Sequence, residues 1–139
     1  MADIIVYTDG GARGNPGPAA IGVVVQDRTG KVLKEHSAYI GETTNNQAEY
    51  EALVQALDEL KKMFGAGLCD LAVEVRMDSE LVVRQLEGRY KVKDPGLKQQ
   101  FAKAAKLRQE AVPNITFVHI PRGENAHADA LVNECLDAR

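Results

Sequence analysis

Two apolar runs, Ile4 to Thr8 and Leu71 to Met77, each stop at an aspartate, Asp9 and Asp78. Runs rich in β-branched and aromatic residues form strands. A carboxylate standing where a strand leaves its sheet is also where ligands gather in open α/β sheets. The pair therefore predicts an α/β chain with acidic groups at one sheet edge. Taken singly, either aspartate equally suits an ordinary turn or helix cap.

The remaining segments keep to that plan. Ile21 to Gln26 and Lys31 to Ile40 flank Asp27-Arg28-Thr29-Gly30, a turn-rich tetrapeptide, and predict an antiparallel hairpin. From Thr44 to Phe64, apolar residues recur at Ala52, Leu53, Ala56, Leu57, Leu60 and Phe64, the spacing of an amphipathic helix. Thr44-x-x-Gln47 offers a capping box at its start. A short helix follows Asp78-Ser79 and ends by Gly88, and another covers Leu97 to Ala111. Ile115 to Ile120 forms a strand, and after the loop Pro121 to Asn125 a last helix runs to about Leu136. Three strands followed by strands alternating with helices predict a mixed sheet, in two or three layers, with an antiparallel meander on one side. A chain of 139 residues has room for one domain, spanning 1–139, around one core.

Glu49 sharpens the chemistry. It lies three and four residues before Ala52 and Leu53, so helical geometry puts it on the core-facing stripe. An unpaired buried carboxylate is costly and must be protonated, paired or bound to metal. A first-turn cap, with Asn46-x-x-Glu49 at the start of the helix, is the alternative. Asp129 repeats the pattern, with Val132 and Leu136 at i+3 and i+7. No Lys or Arg lies on either stripe, which favours hard cations with oxygen ligands. Four carboxylates around Mg²⁺ or Mn²⁺ point to phosphate-ester chemistry. Spacing alone leaves nuclease and phosphatase both open.

Charge narrows the partner. The net charge is −3, yet Arg84 to Lys106 carries seven basic residues against Glu87 and Asp94. Such a stretch is either a solvated face or a phosphate contact. No apolar run approaches the ~20 residues of a membrane helix, and the start lacks the pattern of a signal peptide, so a cytoplasmic protein is expected. Cys69 and Cys135 match no metal spacing.

At these residues the chain resembles the type 1 ribonuclease H family. The likeness is carried by Tyr7-Thr-Asp-Gly-Gly with Arg13-Gly-Asn-Pro-Gly-Pro, by Thr43-Thr-Asn-Asn-Gln-Ala-Glu-Tyr-Glu-Ala-Leu, by Asp78-Ser79 and by Asn125-x-x-Ala128-Asp129, in the family's order and across nearly the whole chain. The resemblance implies a ribonuclease H-like fold: a five-stranded mixed sheet of order 3-2-1-4-5 with helices on both faces. It implies Asp9, Glu49, Asp78 and Asp129 as catalytic residues holding two Mg²⁺ ions, with Mn²⁺ able to substitute. Asp9 would be shared, Asp129 would serve the ion that activates water, and Glu49 and Asp78 the ion at the leaving oxygen. The implied reaction is hydrolysis of the RNA strand of an RNA:DNA hybrid, leaving a 5′-phosphate and a 3′-hydroxyl. Asn15 and Asn46 would lie in the hybrid's minor groove and Thr44 would grip a DNA-strand phosphate. A monomer is expected.

The chain departs from many members in two places. Glu87 to Gly96 is too short for the family's basic helical protrusion, and Arg89, Lys91 and Lys93 are the candidate phosphate contacts in its stead. The loop before Asp129 has Arg122 and Glu124 where many members carry a histidine; His127 is the nearest histidine and also suits a plain surface position. The Arg-Gly-Asn-Pro-Gly-Pro style resembles archaeal and related bacterial members. Two rival readings are a hybrid-binding module without catalysis and an integrase-like or junction-resolving nuclease on the same fold.

Overall fold

In the computed structural model, which describes all 139 residues, the strands β1 (Ile4–Ala12), β2 (Gly17–Asp27), β3 (Val32–Thr43), β4 (Val73–Met77) and β5 (Ile115–His119) form one sheet. Their order is β3-β2-β1-β4-β5. The first three run antiparallel, while β4 and β5 join parallel to β1. Four helices complete the chain: α1 (Asn45–Phe64), α2 (Glu80–Leu86), α3 (Pro95–Ala111) and α4 (Ala126–Asp137). This is the ribonuclease H-like arrangement that the resemblance implies.

Strand boundaries differ from those expected, and the difference matters for Asp9. β1 pairs with β4 only as far as Thr8 with Met77. Against β2 it continues through Asp9 opposite Gly22 to Ala12 opposite Ala19. Asp9 thus sits at the end of one ladder and inside another, which fixes its backbone firmly. β2 begins at Gly17 and not at Ile21: Gly17-Pro18-Ala19-Ala20 is low in strand propensity, yet all four residues pair with β3, and Ala19 and Ala20 pair with β1 as well.

Local chemistry starts each helix. Thr44 caps α1, its hydroxyl accepting from the backbone N–H of Gln47 at 3.2 Å. The reciprocal half of a capping box does not form; the Gln47 amide lies against Gly96 at the start of α3. Ser79 caps α2. Asp94 caps α3 by accepting from Leu97 N–H at 3.1 Å, with Pro95 in the first turn, so this helix begins two residues earlier than the apolar spacing predicts.

The sheet buries both faces unequally. Val6, Val23, Val25 and Val75 pack against Leu53, Leu57 and Leu60 of α1 and Val82 and Val83 of α2 in the main core. α4 covers the opposite face through Val132 and Leu136, which pack on Ala20. Two glycines let these helices approach the sheet. A Cβ at Gly10 would stand 2.2 Å from the Ala48 carbonyl oxygen of α1, and one at Gly22 would stand 2.4 Å from that of Ala128 in α4. The residues next to those contacts are Glu49 and Asp129, so the glycines set how near the acidic groups come.

Gly22→Ala is therefore expected to lower the unfolding free energy by about 1–3 kcal/mol in urea titrations. Gly67→Ala, where the added methyl meets open space, should change it by less than about 0.5 kcal/mol. Equal effects would contradict close helix packing as the role of Gly22.

Candidate active site

Each carboxylate reaches the sheet edge on a different element: Asp9 on β1, Glu49 in the second turn of α1, Asp78 between β4 and α2, and Asp129 in the first turn of α4. Carboxylate oxygens of Asp9, Glu49 and Asp78 lie within 4.8 Å of one another. Asp129 stands outside that trio, near enough for its charge to raise the proton affinity of Asp9. All four line one cavity of about 450 Å³, together with Arg13, Asn45, Asn46, Ser79, Arg122 and Asn133.

Glu49 does not cap its own helix. Its Oε1 accepts from the Gly10 backbone N–H at 2.7 Å, across the gap between α1 and β1. Asp78 is held by Asn125, whose side-chain nitrogen donates to Asp78 Oδ2 at 3.1 Å and to the Thr8 carbonyl at 2.9 Å. Asn125 is 1% exposed, and its bond to Thr8 is buried while Asp78, which it also holds, stays half-buried at the cavity. Its contribution was invisible in the sequence beyond a motif match, because both acceptors are distant in the chain.

Crowding raises proton affinity. Burial, then the charges of Asp78 and Asp129, push the Asp9 carboxyl up to about 8. Burial, then Asp9 and Asp78, hold Glu49 well above its ordinary value, opposed by the Gly10 N–H and by Arg122. Arg122 thus enters from the single helical turn Arg122–Asn125 rather than from either helical stripe. Close, all-oxygen donors of this kind suit Mg²⁺ or Mn²⁺ and offer nothing to soft metals. Divalent cations would relieve the repulsion that protons otherwise relieve.

The expected substrate residues form a rim beside this cavity. Asn15 Oδ1 accepts from Asn45 N–H at 3.0 Å, and Asn45 Oδ1 accepts from Ala12 N–H at 2.9 Å. Asn45, absent from the sequence candidates, thereby pins the turn after β1 to the start of α1. Asn15, Thr44, Asn45 and Asn46 line a second cavity, of about 420 Å³, and Asn45 and Asn46 line both. Arg89, Lys91 and Lys93 stand apart. They are exposed on the segment between α2 and α3, and none lines either cavity. That segment is anchored from beneath: buried Tyr50 donates from its hydroxyl to Gln85 Oε1 at 2.6 Å, and Gln85 donates to the Lys91 carbonyl at 3.4 Å.

Of the three loop candidates, only Arg122 faces the carboxylates. His127 turns to the Glu35 carboxylate on β3, and Glu124 is exposed; neither lines the cavity.

A family model described as reverse transcriptase-like matches residues 7–135. LC11-RNase H1, isolated from compost by a metagenomic approach, is 66% identical; its structure in complex with an RNA/DNA hybrid matches with a TM-score of 0.94 over 97% of each chain. Ribonuclease HI of Halobacterium salinarum is 43% identical over 131 residues, 94% of this chain and 63% of that protein. The bifunctional protein Rv2228c of Mycobacterium tuberculosis is 42% identical over 136 residues, 97% of this chain. The chain spans only 36% of that last relative, so it corresponds to one part of a longer protein there. It belongs to the type 1 ribonuclease H family.

The pH dependence of stability follows from Asp9. Unfolded, its carboxyl releases a proton near its ordinary value of 3.8; folded, it keeps the proton up to about 8. Between those values the folded state binds more protons, so stability falls as pH rises. In EDTA, Asp9→Asn should therefore exceed the wild type in unfolding free energy by on the order of 2 kcal/mol at pH 8. The difference should vanish near pH 4, and a constant offset across that range would contradict charge crowding as its cause.

Proposed function

We propose that the chain is an endoribonuclease that hydrolyses the RNA strand of RNA:DNA hybrids with divalent metal ions. The observation that carries this reading is that the cavity of the four carboxylates and the cavity of the asparagine rim adjoin, with Asn45 and Asn46 lining both. A carboxylate cluster alone fits many phosphate-ester enzymes. A rim of short amides beside it fits a reader of minor-groove edges and 2′-hydroxyls, the group that separates RNA from DNA.

Asp9, Glu49, Asp78 and Asp129 would hold two Mg²⁺ ions, with Asp9 common to both and Mn²⁺ able to replace them. Bound there, the ions supply positive charge at the attacking water and at the departing oxygen. Gly10 N–H and Asn125 keep Glu49 and Asp78 aimed into the cavity. Water attacks the phosphorus in line with the departing 3′ oxygen, the P–O3′ bond breaks, and the products carry a 5′-phosphate and a 3′-hydroxyl. Asn15 and Asn46 would contact the minor groove and Thr44 a phosphate of the DNA strand. Arg89, Lys91 and Lys93, on their anchored segment, add sequence-independent attraction for the backbone. Arg122 offsets negative charge where the scissile phosphate enters. A monomer suffices, since all four carboxylates come from one chain.

The test is cleavage of an end-labelled RNA:DNA hybrid in Mg²⁺ and in EDTA, with single-stranded RNA, duplex DNA and duplex RNA as controls. Metal-dependent cutting confined to the hybrid's RNA strand, with 5′-phosphate products, is expected, and Asp9→Asn should abolish it while leaving hybrid binding in place. Hybrid that binds yet stays intact with every divalent metal would make the chain a binding module instead.

A further inference from the structure

A cavity lined by four carboxylates must admit a polyanion, and two guanidinium groups line it, Arg122 and Arg13. Arg13 has no part in the reading so far. It follows β1 and stands two residues before Asn15. Its guanidinium reaches across to α4, with Nη2 2.7 Å from Asp137 Oδ1 and donating weakly to Asn133 Oδ1 at 3.5 Å. Asn133 in turn donates to Asp129 Oδ2 at 3.3 Å.

The three α4 residues recur every fourth position, so they form one stripe that leads outward from the carboxylate cluster. Arg13 lies along the outer part of that stripe. Its side chain is 47% exposed and that of Asp137 68% exposed. An ion pair in water at this exposure is weak and screened by salt. A phosphate offers the same guanidinium a bidentate partner carrying charge that no protein group nearby neutralises.

We propose that Arg13 is a substrate-binding residue that exchanges Asp137 for a phosphate of the nucleic-acid backbone beside the carboxylate cluster. The proposal rests on the hybrid-nuclease reading above. Asp137 then acts as a built-in competitor: it parks Arg13 in the free protein and lowers affinity for substrate. The alternative is purely structural, with the pair fastening α4 to the turn after β1. The two readings predict opposite signs. If the pair is a fastener, loss of Asp137 loosens the site and weakens binding. If it is a competitor, loss of Asp137 frees Arg13 and strengthens binding.

The experiment measures equilibrium binding of an RNA:DNA hybrid in Ca²⁺, across a salt series, for the full chain and for Arg13→Ala, Arg13→Lys, Asp137→Asn and the double variant Arg13→Ala with Asp137→Asn. Thermal unfolding is followed in parallel, and cleavage in Mg²⁺ is measured for the wild type. Arg13→Ala should weaken binding about fivefold and reduce the salt slope by about 0.7–0.9, as loss of one phosphate contact does. Arg13→Lys should keep the slope and lose part of the affinity. Asp137→Asn should tighten binding about two- to threefold when Arg13 is present and leave it unchanged when Ala replaces it. Removal of a negative charge acting only at long range would tighten both backgrounds equally and overturn the exchange. Weaker binding with a lower unfolding temperature in Asp137→Asn would establish the fastener instead. Hybrid cleavage without the background-dependent shift defeats the Arg13 proposal alone, whereas a wild type that neither binds nor cuts hybrid defeats the functional reading and this proposal together.

Discussion

Mutual repulsion among Asp9, Glu49, Asp78 and Asp129 is the constraint around which the molecule is arranged. Left to themselves, carboxylates this close would turn outward to water. Here Asp9 and Glu49 are each only 7% exposed, and their raised proton affinities record the cost. The backbone N–H of Gly10 and the amide of Asn125 aim two of them inward without contributing a full positive charge. A site held this way is short of cations by construction, which is the electrostatic condition for binding divalent metal strongly.

Packing and chemistry meet at the same backbone points. Gly10 faces α1 and Gly22 faces α4, so each glycine admits the helix that carries an acidic residue to the cavity. β1 lies at the centre of the sheet order, bonded to β2 on one side and β4 on the other. Asp9 is the first residue beyond the β4 ladder while still inside the β2 ladder, so it combines a rigid backbone with an open edge. The turn after β1 returns along the mouth of the cavity, where Asn45 ties it to α1. The asparagine rim and the carboxylate cluster thus share two stretches of backbone, β1 with the turn after it and the start of α1, while Asp78 and Asp129 arrive from the end of β4 and from α4.

Much of this was legible in the sequence because it depends on local periodicity. The misplacement of Glu49 on an apolar stripe is readable from i, i+3 and i+4 spacing alone, and burial of Glu49 bears that out. The strand order came from resemblance, since period-2 patterning says nothing of which strands become neighbours. Three features escaped for physical reasons. Gly17 to Ala20 lacks strand propensity and becomes a strand only through its partners. Asn45, Asn125 and Arg13 act through hydrogen bonds and ion pairs to residues at least 30 positions away in the chain. His127, nearest to Asp129 in sequence, is drawn away by Glu35 of β3, a partner that no local pattern reveals.

The most direct test of the central claim is a crystal of the wild-type chain grown with Mn²⁺ and a hybrid that resists cleavage, with metal positions read from anomalous scattering. The account predicts two manganese sites that share Asp9, one also touching Glu49 and Asp78 and the other Asp129. Manganese bound elsewhere on the surface, or a cluster whose carboxylates hold no metal beside a bound hybrid, would contradict it.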